Sequence, residues 1–342
     1  MNQLIGLIGI FIVVTANYSF AEDQNYLPEK SITDKIITFQ NKDKALIGFE
    51  FKAKISSNFS FTNNDKYVGQ TDGANYQFNI ITDNEVNWRN KHHEFLNKLH
   101  INYGLSKTPQ LKNLFKSQDE IKYLSTYLYH LSAIHWFGTF VRFKVVSSML
   151  SGSYISPDDE TLVFKYRNGN EKSCILRANY RYIIVESFEP ITMSGNLGFF
   201  ANPVNKKKLK LSLKLGAGFQ KMISRDGFVL ADDSNTPEIE FNQLEDYSDA
   251  GIEFELDASG EINSSINWSL IANFFFPFND SCSKDDLNDL DRLNTNIEGK
   301  FSSKLTNRTS LDSYIMIKRI PLVLNEWQIQ NGIVIKVSHN FF

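Results

Sequence analysis

The chain has 342 residues, 42% of them hydrophobic, with a mean hydropathy of -0.29 and a formal net charge of -3. That length suits one large β-domain or two ordinary ones, and the composition excludes a bundle of apolar membrane helices. The charge is small and forms no basic block, so nucleic acid is not an expected partner. Phe (28) and Tyr (14) are abundant and Pro (8) is scarce, as strands prefer. Cys174 and Cys282 set no disulfide framework, and whether they pair stays open.

Residues 1–21 read as a secretory signal peptide. Leu4 to Ala16 is an apolar run, and Ser19-Phe20-Ala21 is a small-x-small cleavage site before Glu22 and Asp23. The segment before the apolar run has no Lys or Arg. The run is shorter than the ~20 residues of a spanning helix, which favours export over anchoring. Residues 22–44 are polar without a sustained period and read as a periplasmic lead-in to a domain at 45–342.

From Ala45 onward the chain alternates. Ile47, Phe49, Phe51, Ala53 and Ile55 oppose Glu50, Lys52, Lys54 and Ser56. Tyr76, Phe78 and Ile80 form a second segment, and a turn is expected around Asp83–Asn90. A third segment sets Phe95, Leu99, Ile101, Tyr103 and Leu105 against Lys98, His100 and Asn102. A fourth carries Tyr123, Tyr127 and Tyr129, and a fifth sets Val141, Phe143 and Val145 against Arg142 and Lys144. Thr161–Tyr166 and Leu176–Ile184 flank Arg167-Asn168-Gly169-Asn170, a hairpin signal. Then come Ile191–Phe199, Leu209–Gln220, an acidic loop at Ser224–Ser248, Ile252–Ala258, Ile266–Phe274, Leu293–Leu305 and Ser310–Ile320. The last segment, Trp327–Phe342, has Trp327, Ile329, Ile333, Ile335, Val337 and Phe341 on one face, opposite Lys336 and Ser338.

Period-2 alternation means one face in oil and one in water. Several segments exceed the typical strand of ~5–6 residues. A wide barrel cannot fill its interior with side chains, so its apolar face must look outward; the alternative is a secreted sandwich. Tyr103, Trp136, Trp268, Phe276, Trp327 and Phe341 lie near segment ends, where interface aromatics belong. The gaps alternate between long and short, as in outer-membrane barrels. The expected fold is therefore an all-β, antiparallel up-and-down transmembrane β-barrel of about fourteen strands with the short Thr161–Tyr166 segment counted, and twelve as the fallback.

Trp88-Arg89-Asn90 with Ile101–Lys107, Ser117-Gln118-Asp119-Glu120, Ser187-Phe188-Glu189-Pro190 and the closing half from Asn263 to Phe342 resemble an uncharacterised family of Gram-negative outer-membrane β-barrels, akin to proteins described as salt-induced. The resemblance implies an outer-membrane location and a barrel fold. It implies no activity. A Thr-Gln pair expected in the fifth strand is absent here, and the terminal aromatic is shifted, with Phe341 on the apolar face.

The inward face is the candidate site. Lys52, Lys54, Arg142, Lys144, Arg177, Arg181, Lys210, Lys214, Glu253, Glu255, Lys300 and Lys336 are expected to line the lumen, with cations in excess. Rings of Lys and Arg favour anions in a pore. The same charges could instead pair across a narrow lumen and plug it, leaving function to the outer loops. Ile333, Ile335, Val337 and Phe341 read as the signal through which barrel-assembly machinery recognises the last strand. Beyond that machinery and outer-membrane lipid no partner is legible, and the oligomeric state stays open. There is no cofactor motif. His92-His93 point to opposite faces, and His130 with Ser132 lacks a marked nucleophile, so no enzymatic activity is expected. Asp285, Asp286, Asp289 and Asp291 lack the spacing of a calcium loop.

Overall fold

The alternating segments fold into strands that close on themselves. The computed structural model describes residues 47–64, 73–134, 136–231, 236–278, 292–306, 308–320 and 324–340. Twelve strands form the barrel. They are β1 (Gly48–Asn64), β2 (Gly73–Arg89), β3 (His93–Lys107), β4 (Phe115–His130), β5 (Phe137–Ser147), β10 (Ile191–Lys206), β11 (Leu209–Ile223), β14 (Tyr247–Glu261), β15 (Ile266–Pro277), β16 (Asn294–Lys304), β17 (Thr309–Ile320) and β18 (Leu324–Asn340). Each is antiparallel to both neighbours. No α-helix occurs among the described residues. The expected signal peptide, the lead-in at 22–44, Cys282, Asp285–Asp291 and Phe341 lie outside the described residues.

The two faces are inverted relative to a water-soluble barrel. Apolar side chains stand exposed on the outer wall all the way round: Phe51 (61%), Phe95, Phe143, Leu197 (63%), Leu215, Phe301 and Ile335. Polar and charged side chains are buried within. Register makes this consistent from strand to strand. Phe51 pairs with Val86 while Lys52 pairs with Glu85, so the pleat sends each set to one side. The shortest barrel strands have eleven residues. Tilted by ~45°, such a strand covers about 26 Å, the height of a membrane-spanning apolar band.

The connections at one end are short: 90–92, 131–136, 207–208, 262–265 and 305–308. Those at the other end take in 65–72, 108–114, 148–190, 224–246, 278–293 and 321–323. We call these the turn end and the loop end. β1 pairs with β2 at seventeen positions and with β18 at five, from Lys54–Asn340 to Asn58–Lys336. The closing seam is thus the least extensively bonded strand pair of the barrel.

Two expectations are corrected. The barrel has twelve strands, the fallback count, not fourteen. Thr161–Tyr166 and Leu176–Ile184 are not in its wall; they supply β7 (Glu160–Lys165), the end of β8 (Glu171–Leu176) and β9 (Arg181–Val185), which are too short to span. They join β6 (Gly152–Ile155), β12 (Phe228–Leu230) and β13 (Ile239–Gln243) in a separate cap at the loop end. The acidic loop at 224–248 is accordingly partly strand. The turn expected at Asp83–Asn90 is also displaced. Val86 and Trp88 continue the outward set, so β2 runs to Arg89 and turns at 90–92, where Asn90 Oδ1 accepts the backbone N–H of His92 and His93.

The cap has its own core. Leu162, Phe164, Leu176, Ile184, Val185 and Phe241 are buried together, and Phe164 stacks on both Phe241 and Tyr182. β7 pairs antiparallel with β8 and parallel with β13, which joins the two longest loop-end excursions into one sheet. Hydrogen bonds from Ser148 Oγ to Glu189 O, from the Lys112 N–H to Asn179 Oδ1 and from Arg181 Nη2 to Leu114 O fix it at the rim.

Candidate functional site

The lumen side of the barrel carries the candidate site, because strand register places charged residues there in rows. Lys52, Lys54, Arg142, Lys144, Lys210, Lys214, Glu253, Glu255, Lys300 and Lys336 all lie on inward-facing positions. Arg177 and Arg181 do not. Arg177 follows β8 and Arg181 opens β9, so both belong to the cap, and Arg181 is committed to the carbonyl of Leu114. Ile333, Ile335 and Val337 are exposed on the outer face of β18.

One side of the lumen is closed by pairing. Arg142 on β5 donates to both oxygens of Glu255 on β14, at 2.5 and 2.8 Å, and lies 3.6 Å from Glu253. Lys214 on β11 donates to Glu255 at 2.7 Å and stands 3.7 Å from Asp257. Glu253 accepts from Asn273 at 2.6 Å and from Asn196. Lys214 and Glu255 are 5% and 6% exposed, so this pair is buried inside the barrel. Glu253 and Glu255 tolerate burial because each is matched by donors.

Glycine makes this wall possible. Gly198 on β10 and Gly216 on β11 are opposed, and a Cβ on either would meet backbone atoms at 2.2–2.3 Å. Nearer the turn end the same wall is apolar. Leu96, Leu128, Phe140 and Phe200 are buried as one inward cluster. His130 packs edge-on against Phe200 and lies 3.0 Å from Glu94, which also accepts from Arg89. This accounts for His130 structurally. Ser132 is exposed in the turn beyond it. His93 contacts the Tyr127 hydroxyl at 2.6 Å on the outer wall.

The opposite side is different. Lys300 pairs with Asp312 at 2.6 Å. Asp83 meets His100 at 2.8 Å and Lys98 at 3.3 Å. Lys336 sits where Lys54, Lys300, Asp83 and Asp312 all act on it. Among these, four lysines (54, 98, 300, 336) face two aspartates (83, 312). Among the described residues no carboxylate lies within 4.0 Å of Lys54, Lys144, Lys210 or Lys336, and all four remain partly exposed. Most inward carboxylates, by contrast, are already matched. No grouping of three or more His, Cys, Asp or Glu suited to a metal occurs among the described residues. In the cap, Cys174 is a free, half-buried thiol, and burial beside it raises the Tyr182 hydroxyl above its ordinary pKa.

No family model matches the chain, and no curated protein does. Solved structures that resemble it include the translocator domain of the autotransporter NalP from Neisseria meningitidis, at 9% identity and TM-score 0.38 over 88% of this chain and 90% of that one. An outer membrane channel from Pseudomonas putida F1 matches at 9% identity and TM-score 0.39 over 88% and 98%. OprB of Pseudomonas putida matches at 9% identity and TM-score 0.29 over 86% and 94%.

Proposed function

We propose that the protein is an outer-membrane β-barrel with a narrow polar passage that favours anions. The membrane reading rests on the inverted faces. A ring of exposed Phe, Leu and Ile around every side of a closed barrel far exceeds what a water-soluble surface carries, and spanning strands need closure so that no edge meets lipid. Export would use the segment at 1–21, and assembly would use the apolar outer face of β18.

The anion preference rests on one observation: inward lysines, Lys54, Lys144, Lys210 and Lys336, outnumber the carboxylates left to match them. An ion entering the lumen meets Lys54 and Lys336 on the wall formed by β16, β17, β18 and β1, and Lys144 and Lys210 on the strands that hold the buried Arg142–Glu255–Lys214 group. Single-channel recording of the refolded protein under a KCl gradient tests this. Steady steps with a reversal potential on the chloride side are expected. Cation preference would overturn it.

A second reading is favoured by the buried Arg142–Glu255–Lys214 group and the apolar cluster at Phe200. On this reading the lumen is sealed and the cap is the working surface, a binding face held above a structural barrel. Silence from a folded, bilayer-inserted barrel would select it.

A further inference from the structure

The inward face of the closing seam is built from three opposed pairs. Lys54 faces Asn340, Ser56 faces Ser338 and Asn58 faces Lys336, with β1 on one side and β18 on the other. The strands are antiparallel, so Lys54 and Lys336 flank the two serines, one toward each end of the barrel. Among the described residues neither lysine has a carboxylate within 4.0 Å. Ser56 between them is 2% exposed, yet its hydroxyl meets no hydrogen-bond partner among the described residues. The side-chain carbonyl oxygen of Asn58 is buried in the same way. Buried polar groups are ordinarily bonded, and this hydroxyl is placed to donate into the space between two ammonium groups.

The charge around the seam is positive. Lys300 on β16 acts on Lys336 together with Lys54, against Asp83 and Asp312. Both acids are already engaged. Asp83 meets His100 at 2.8 Å and Lys98 at 3.3 Å, and Asp312 meets Lys300 at 2.6 Å and Ser302 at 2.5 Å. Glu298, the next inward acid on β16, leans away to Asn296 at 3.1 Å. Lys54, Lys98, Lys300 and Lys336 thus set four positive charges against the two of Asp83 and Asp312, a surplus of two. A monovalent anion would leave half of that surplus, whereas a dianion matches it. The donors converge from neighbouring pairs, which suits a compact dianion with several oxygens on one centre. Phosphate accepts from ammonium and hydroxyl donors at once, with charge assistance.

We infer that the inward face of the seam binds a doubly charged phosphate group. Lys54 and Lys336 hold it from either side, the Ser56 and Ser338 hydroxyls from between them, and Lys300 from β16. The inference rests on the reading above that this side of the lumen admits anions, and narrows it to one ligand chemistry and one seat. Free phosphate and a small phosphate monoester present the same group.

The test uses the full chain refolded in detergent micelles. Inorganic phosphate, glycerol phosphate and succinate are titrated in turn, with sodium chloride holding the ionic strength constant. Saturable binding of a single phosphate per chain is expected, with a rise in unfolding temperature, because only the closed barrel brings β1 and β18 together. Lys54→Gln and Lys336→Gln should each weaken binding about tenfold, as loss of a charge-assisted hydrogen bond does. Ser56→Ala changes no charge and should still weaken it about threefold; a merely positive lumen would not register that change. Lys144→Gln removes an equal charge from β5 and should bind as the wild type does. Tighter binding of glycerol phosphate than of inorganic phosphate would support the site with an esterified ligand, and the reverse order would support it with the free anion. Absence of saturable phosphate binding by a folded barrel would overturn the inference. So would unchanged binding in Ser56→Ala, an equal loss in Lys144→Gln, or tighter binding of succinate than of phosphate. Phosphate bound by a barrel that passes no current in bilayers would overturn the passage and support the site. An anion-selective barrel that binds no phosphate would overturn the site and support the passage.

Discussion

Arg142 reaches Glu255 across two intervening strands. The residues lie on β5 and β14, with β10 and β11 between them, and the guanidinium meets both carboxylate oxygens at 2.5 and 2.8 Å. The contact is therefore a chord through the lumen, not a rung between neighbours. It links the outer two of four strands, and between them the inward Gly198 and Gly216 let β10 and β11 approach.

Replacing Arg142 by Met should leave Glu255 buried with Lys214 alone. Removing one member of a buried pair costs about 3–5 kcal/mol. The folded form should therefore unfold at lower temperature, read as the electrophoretic shift of heat-modifiable barrel. Glu255→Gln keeps acceptor capacity and should lose less.

Gly216→Val should prevent β10 and β11 from closing, because the added Cβ would lie 2.3 Å from the carbonyl oxygen of Leu197. Backbone cannot yield as a flexible side chain can. The expected outcome is a large fall in refolding yield, while Ala217→Val, an outward neighbour in the same strand, refolds close to normally.

Lys54→Glu with Lys336→Glu should reverse the ion preference if current passes along the β16–β1 side. Both residues are inward and lack a carboxylate partner among the described residues. Reversal potentials in a KCl gradient report the sign directly.

Phe241→Ala should loosen the cap and spare the barrel. Phe241 is fully buried between Phe164 and Tyr154, and truncating a buried Phe costs about 3–5 kcal/mol. Limited proteolysis should cut within 148–190 or 224–246, leaving the barrel's heat-modifiability unchanged.

Ser57→Cys with Val337→Cys should staple the closing seam. The two positions are antiparallel partners, whose Cα separation suits a disulfide. The seam has five paired positions, so oxidation should raise the unfolding temperature, and reduction should return it.

The outward sets of β1, β3, β11 and β18 were legible in the sequence because alternation directly encodes two faces. Alternation does not encode which sheet a strand joins. Thr161–Tyr166 and Leu176–Ile184 alternate as well as any wall strand, yet Leu162, Leu176 and Ile184 face a private core. Their brevity was the available signal, since six residues cannot cross what Val141 and its neighbours cross in eleven. The charged inner face was legible for the same reason as the outer one. Its pairing was not: Glu255 lies 113 residues from Arg142 and 41 from Lys214, and only closure of the barrel brings them together. The parallel junction of β7 with β13 has no local signature at all.

That junction binds the fates of two distant stretches of chain. Ile239 lies against Leu162 and Phe241 against Phe164, so neither excursion carries the whole of the four-stranded sheet β12-β13-β7-β8. A graft of one onto a foreign barrel would arrive with a bare strand edge and half a core. An insertion in one that shifted its register would have to be answered in the other. The segments at 148–190 and 224–246 thus form a single heritable module, split by two wall strands that diversification must leave in step.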